Sequence, residues 1–226
     1  KPDAARAVEL AEIGTERLST PMLLARKIEA VTGMPWTRGW DRNDQLMTNF
    51  HILYGAIDSE TINKRLSVPN GVMASVQWRM ANEVSCNSTA TDFNKPKDAR
   101  TLFRKVELDD FPETDSGDSI PAAVSRIKEN IRYLHAHVLG QELAEDDPEI
   151  ERTYRLFLDT WKEGKQLLAA ETVGTWLVWQ CQARLNPETG EELPEDQRLN
   201  QDPNYTVRAW MAVVTYLLSD YEFLYE

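Results

Sequence analysis

One segment constrains the fold more than any other. Ile120, Val124, Ile127, Ile131, Leu134 and Val138 recur at alternating steps of four and three, the spacing that lines apolar side chains along one face of an α-helix. Such a stripe is stable only when other elements cover it. The segment also carries its own punctuation. Ser119 reads as a capping hydroxyl, Pro121 falls in the first turn, and Gly140 stands where a helix would close.

The helical period extends over most of the chain. Residues 4–18 read as a moderately amphipathic helix. Thr20-Pro21 opens a helix through Leu23, Leu24, Ile28 and Val31 that stops at Gly33. Asn43 or Asp44 caps a short helix over Leu46, Phe50 and Leu53, closing at Gly55, and residues 58–61 begin another turn. Asn70-Gly71 opens a longer helix with Val72, Met73, Val76, Met80 and Val84 on one stripe, broken at Lys95-Pro96. Asp147-Pro148 starts a helix lined by Ile150, Tyr154, Phe157 and Trp161, and residues 167–185 read as helical across Gly174. A long polar loop fills 186–204. Asn204 then reads as the cap of a last, strongly apolar helix.

No stretch of useful length alternates as a strand would. The expected fold is all-α: an irregular multi-helix bundle of about seven to nine helices with long polar loops. Residues 1–226 are expected to form a single domain. The acidic, turn-rich run near 107–118 is the best place for a sub-division, with a plain surface loop as the favoured alternative.

Charge narrows the function classes. The 226 residues hold 37 Asp and Glu against 25 Lys and Arg, a formal net charge of -12. Nucleic-acid binding is disfavoured, because phosphate contact needs a basic footprint. With 42% hydrophobic and 9% aromatic residues, the chain can bury a core, so wholesale disorder is excluded. No run of about 18 apolar residues would cross a membrane. The chain begins at Lys1 rather than Met, as expected of a processed or excerpted product. A basic n-region followed by an apolar segment is missing from its start.

Two cysteines, Cys86 and Cys181, allow one disulfide in an oxidising compartment. Two buried thiols are the alternative, and sequence alone leaves both open. Asn87-Ser88-Thr89 and Asn204-Tyr205-Thr206 match the glycosylation pattern.

Catalytic signals are sparse. Of the three histidines, His135 and His137 lie two apart on the clearest helix, about 200° around its axis, so they cannot easily share one metal. They are expected at a packing edge. His51, between Phe50 and Tyr54, is a candidate metal or haem ligand, with simple packing as its alternative. Nucleophile elbows, phosphate loops and a Cys-x-x-Cys-His haem motif are all missing. Asp115 and Asp118 flank Gly117 in an oxygen-rich loop that Ca²⁺ would suit; solvated acid is the favoured alternative. No cofactor is expected. The tryptophans of the loop at 34–40 would also suit a sugar site, although Trp in helical proteins is usually core.

Two segments carry a family resemblance. Phe50-His51-Ile52-Leu53-Tyr54-Gly55, with Pro69-Asn70-Gly71-Val72-Met73 and Met80-Ala81-Asn82-Glu83, resembles uncharacterised secreted or lipid-anchored proteins of Gram-negative bacteria. The close of the chain, Arg208-Ala209-Trp210-Met211 through Ser219, Phe223, Leu224 and Tyr225, resembles the end of helical domains found beside planctomycete-type c cytochromes. Its spacing after Ser219 is one residue longer. The resemblance implies an extracytoplasmic location, periplasmic, secreted or lipid-anchored, and association with an electron-transfer or envelope assembly. It transfers no catalytic residue.

The leading expectation is therefore a non-catalytic extracytoplasmic subunit or accessory protein that docks on other proteins, cytochrome or envelope components among them. Trp36, Trp40, Phe223, Leu224 and Tyr225 are the expected anchors, since aromatics dominate interfaces. One alternative is a hydrolase or small-ligand-binding protein with an interhelical site near His51. Another is a non-covalent haem or electron-transfer accessory using Met80 or His51.

Overall fold

The computed structural model describes residues 17–38, 43–57, 68–186 and 189–225. The expected first helix lies almost wholly outside the described residues, as do the turn at 58–61 and Trp40. Among the described residues the chain is mostly helical and has no strand or sheet, only isolated bridges. The described residues form five α-helices, fewer than the seven to nine expected: α1 (Pro21–Thr32), α2 (Gly71–Phe93), α3 (Pro121–Leu134), α4 (Pro148–Ala169) and α5 (Thr206–Ser219). Short π and 3₁₀ turns supplement them.

Local chemistry explains most of the boundaries. Thr20 Oγ1 accepts from the Leu23 amide at 3.1 Å ahead of Pro21, and Gly33 closes α1 at φ 76°, a left-handed turn that side chains resist. Asn70 Oδ1 accepts from the Val72 and Met73 amides, and Asp147 Oδ1 accepts from Glu149 N. Asp44 does the same for Met47 at the π turn Leu46–Phe50. These contacts satisfy amides that the first turn of a helix leaves without partners.

Two expected caps are replaced. Ser119 does not cap α3, because it is drawn into an antiparallel bridge with Glu113 while Ile120 donates to Pro112 O. Asn204 does not cap α5. Asp202, buried two residues earlier, accepts from the Val207 and Arg208 amides instead. Continuation of a helix through 167–185 also fails. After α4 the chain turns at Glu171, passes Gly174 and makes isolated bridges from Trp176 to Gln201, Ala183 to Leu199 and Leu185 to Glu192.

The core centres on α5, which packs chiefly against α2 and α4. Trp210 of α5 lies 4.7 Å from the Phe157 ring of α4 and 5.3 Å from Phe103, which stacks on Phe93 of α2 at 4.0 Å. The stripe of α3 is buried through Ile127, Ile131 and Leu134, and Val138 continues it in the π turn His135–Leu139. Val72, counted in the α2 stripe, faces solvent. The acidic run 107–118 is a loop tied down from both sides. Arg126 of α3 pairs with Asp110, and Lys162 and Lys165 of α4 pair with Glu113 and Asp115.

Candidate functional site

The disulfide organises one end of the molecule. Cys86 in the middle of α2 is bonded to Cys181, 95 residues away in sequence. The irregular segment beyond α4 is thereby fixed against α2. Leu177 and Ala183 from this segment are buried with Ala90 of α2 and Val207 of α5 in a small second core. Arg208 Nη2 donates to the carbonyls of Gly174 and Trp176, at 3.0 and 2.7 Å. The Leu177 amide donates to Asn200 O and the Ala183 amide to Leu199 O. With only a 3₁₀ turn, Trp179–Cys181, of its own, the segment is held by a covalent bond, these backbone hydrogen bonds, two buried apolar side chains and one guanidinium.

That fixed segment displays apolar side chains outward. Trp176 is 58% exposed, Val178 66% and Trp179 37%. Leu177, between them, points inward. Large apolar groups adjacent in sequence and open to water are the exception in a folded protein.

A cleft of about 250 Å³ adjoins Trp179. The turn after α1 forms one wall with Met34, Pro35 and Thr37, α2 supplies Asn87 and Thr91, and residues 179–186 with Gly190 and Glu192 form the other side. Asn87 Nδ2 donates to Thr37 O at 3.1 Å and Gln182 Nε2 donates to Leu177 O at 2.8 Å. The Arg184 guanidinium lies 4.8 Å above the Trp179 ring and reaches Glu192 at 4.0 Å. The Asn87 sequon is thus part of a continuous helix, with Ser88 and Thr89 buried.

The residues singled out as anchors lie elsewhere. Trp36 is fully buried, stacked on Phe50 at 5.1 Å, with its indole N–H donating to Glu83 Oε2 at 2.9 Å. Phe223 and Leu224 are buried as well, and Tyr225 is half-buried. The Ser19 amide donates to Leu224 O, Leu18 bridges Tyr225, and Lys27 Nζ donates to the carbonyls of Phe223 and Tyr225. An apolar residue that fills the core cannot also be a surface anchor, so Trp36, Phe223 and Leu224 are core residues.

The metal and catalytic candidates find other partners. Asp115 Oδ1 accepts from Lys165 Nζ at 2.8 Å, and this hydrogen bond and charge hold its carboxyl below the usual range. Asp118 Oδ2 accepts from Ser116 Oγ. Lys165 is thus the cation that the structure places beside Asp115. Among the described residues no group of three or more His, Cys, Asp or Glu is arranged to hold a metal. His51 is half-buried, its Nδ1 has no hydrogen-bond partner, and it lines neither the cleft nor the hollow beside Lys165 and Pro203. The second polar group that a site at His51 requires is not found among the described residues.

Of the other two histidines, expected at a packing edge, His137 is half-buried there and His135 is instead buried inside the fold. His137 Nε2 meets Val31 O at 2.9 Å, and burial pushes its pKa down. His135 lies between Thr153 Oγ1 at 3.0 Å and Gln141 Oε1 at 2.8 Å, and Gln141 donates onward to Glu222. The order hydroxyl, imidazole, amide, carboxylate resembles a nucleophilic relay. Yet Thr153 and His135 are buried and no cleft described here reaches them, so the chain of bonds satisfies polar groups inside the fold.

Sequence reasoning missed Trp176, Val178 and Trp179. The available signal is Gly174 followed by Trp176-Leu177-Val178-Trp179, a β-branched and aromatic run with no capping residues, which favours an extended path. Among the described residues, no helix is long and apolar enough to cross a membrane. No family model, curated protein or solved structure matches this chain.

Proposed function

We propose that this chain is a non-catalytic extracytoplasmic subunit or accessory protein that docks on another protein through Trp176, Val178 and Trp179. The carrying observation is that these three side chains are exposed on a segment already fixed by the Cys86–Cys181 bond. Docking through a pre-ordered segment loses little conformational entropy, and buried aromatics contribute most of the energy at interfaces. The disulfide supports an oxidising compartment. The net charge of -12 favours a partner whose docking face is basic. The resemblance to domains beside c cytochromes makes an envelope or electron-transfer assembly the expected setting.

The test is native purification from the source organism, with mass spectrometry and an absorption scan of the same sample. The reading expects a partner in fixed molar ratio that is lost from the Trp176→Ser/Val178→Ser variant. A chain that purifies alone, or whose partner is retained by the variant, overturns it.

A further inference from the structure

The cleft beside Trp179 has a chemistry of its own. Its volume, about 250 Å³, falls just below the roughly 300–1,000 Å³ of sites for drug-sized ligands, so it suits a ligand of about one ring. Its polar lining is mostly uncharged: Thr37, Asn87, Thr91, Gln180, Gln182 and Asn186. Such amides and hydroxyls offer no net charge to attract an ion.

Two carboxylates, Glu29 and Glu192, and one guanidinium, Arg184, line the cleft, and Arg198 also pairs with Glu192 at 3.1 Å. Arg184 lies 4.0 Å from Glu192 and covers the Trp179 ring. Glu29 and Glu192 oppose an anionic ligand, and Arg184 opposes a strongly cationic one. A neutral ligand meets neither penalty.

The amides are also oriented in advance. The Asn87 and Gln182 side-chain nitrogens are engaged with backbone carbonyls of Thr37 and Leu177. Each nitrogen keeps one N–H for a ligand, and each side-chain carbonyl oxygen is open to a donor. Thr91 Oγ1 donates to Asn87 O at 2.8 Å, so it too meets a ligand as an acceptor. Cys86 and Cys181 are chain neighbours of Asn87, Gln180 and Gln182, and the disulfide fixes the α2 side of the cleft to the 179–186 side. Apolar area comes from Trp179, Met34, Pro35 and Leu185.

A ligand that is neutral, rich in hydroxyl donors, about one ring in size and apolar on its C–H faces is a sugar. We propose that the cleft binds a single hexose-sized sugar unit, free or as the end of a glycan. The cleft shares Trp179 with the docking surface, but Trp176 and Val178 do not line it, so variants at those two positions separate docking from sugar binding.

The experiment is a titration of the intact, oxidised protein with glucose, galactose, mannose and N-acetylglucosamine, followed by nitrogen–proton correlation spectra. Glycine, glutamate and inorganic phosphate serve as charged comparisons. The expected result is saturable binding of at least one sugar in the millimolar range, moving the Trp179 indole and the Gln180 and Gln182 side-chain amides. Gln180 is exposed, so Gln180→Ala retains the fold, and it should weaken binding about fivefold, the worth of one hydrogen bond. Trp176→Ser should leave sugar binding unchanged while abolishing any docking. No saturable shift by about 50 mM of any sugar, far above a millimolar constant, overturns the proposal. So does binding that Gln180→Ala leaves intact, or binding of the charged comparisons in place of sugars.

Discussion

The ring of Tyr205 rests on the bare Cα of Gly164, where any Cβ would collide with the ring carbons. Gly164 is buried in the interior of α4, and Tyr205 takes a left-handed conformation, φ 59°, just before α5. The two residues set how closely α5 begins against α4. Helix propensity alone would make Gly164→Ala stabilising by about 1 kcal/mol. Overpacking against Tyr205 reverses the sign, and the variant should lose about 1–3 kcal/mol in a denaturant titration. Tyr205→Gly removes the ring, so a double-mutant cycle should show strong coupling. Additivity of the two changes would contradict the contact.

The disulfide should carry much of the stability of the segment after α4. Its ends are 95 residues apart, and a loop of that length corresponds to about 4–5 kcal/mol on the chain-entropy model. Cys86→Ser/Cys181→Ser should fall by that amount in urea. Hydrogen exchange should rise first at the Leu177 and Ala183 amides. Unchanged exchange there would show that the two buried side chains suffice.

Asp92 organises the turn after α2. Buried, it accepts from the amides of Thr101, Leu102 and Phe103 at 2.8, 2.8 and 3.0 Å. Asp92→Ala leaves three amide donors without a partner and should cost about 3–5 kcal/mol. Asp92→Asn is isosteric but turns an N–H₂ group toward N–H donors, so it should recover little. Full recovery by Asn in thermal unfolding would rule this account out.

Tyr216 and Glu149 tie α5 to α4 through a 2.6 Å hydrogen bond. Burial and then Glu149 push the Tyr216 hydroxyl up to about 12. Burial pushes Glu149 up, but the hydrogen bonds from Tyr216 and Arg152 outweigh it and hold the carboxyl below its ordinary value. Because the Tyr216 pKa is raised on folding, its contribution is complete below the ordinary tyrosine value of 10.0 and is lost as pH rises toward about 12. Because the Glu149 pKa is lowered, its contribution is present above 4.5 and is lost as pH falls through the folded value. Burial also raises Tyr133 and Tyr154, so an ultraviolet titration should show several tyrosines ionising late, and Tyr216→Phe should remove the last step. Its survival in the variant would assign the last step elsewhere.

The helices were legible where local chemistry decides. Thr20-Pro21, Asn70, Asp147, Gly33 and Gly140 mark ends through their own side chains or φ angles. Ser119 and Asn204 mislead because their roles depend on partners elsewhere in the fold: Glu113 draws Ser119 into a bridge, and Asp202 supplies the cap expected of Asn204. The inside and outside of irregular segments were not legible. Trp36 and Trp176 both sit in loops, where no period separates a buried face from an exposed one. Only tertiary packing assigns Trp36 to the core and Trp176 to the surface.

Photo-crosslinking in cells of the source organism tests docking through the fixed segment most directly, with a crosslinking amino acid at position 176 or at position 78. Trp78, on α2, is 62% exposed and serves as an equally open aromatic position outside the segment. The account predicts one protein crosslinked from 176 in fixed ratio, none from 78, and loss of the product when Val178→Ser is added. Equal crosslinking from both positions, or product from 78 alone, would contradict it.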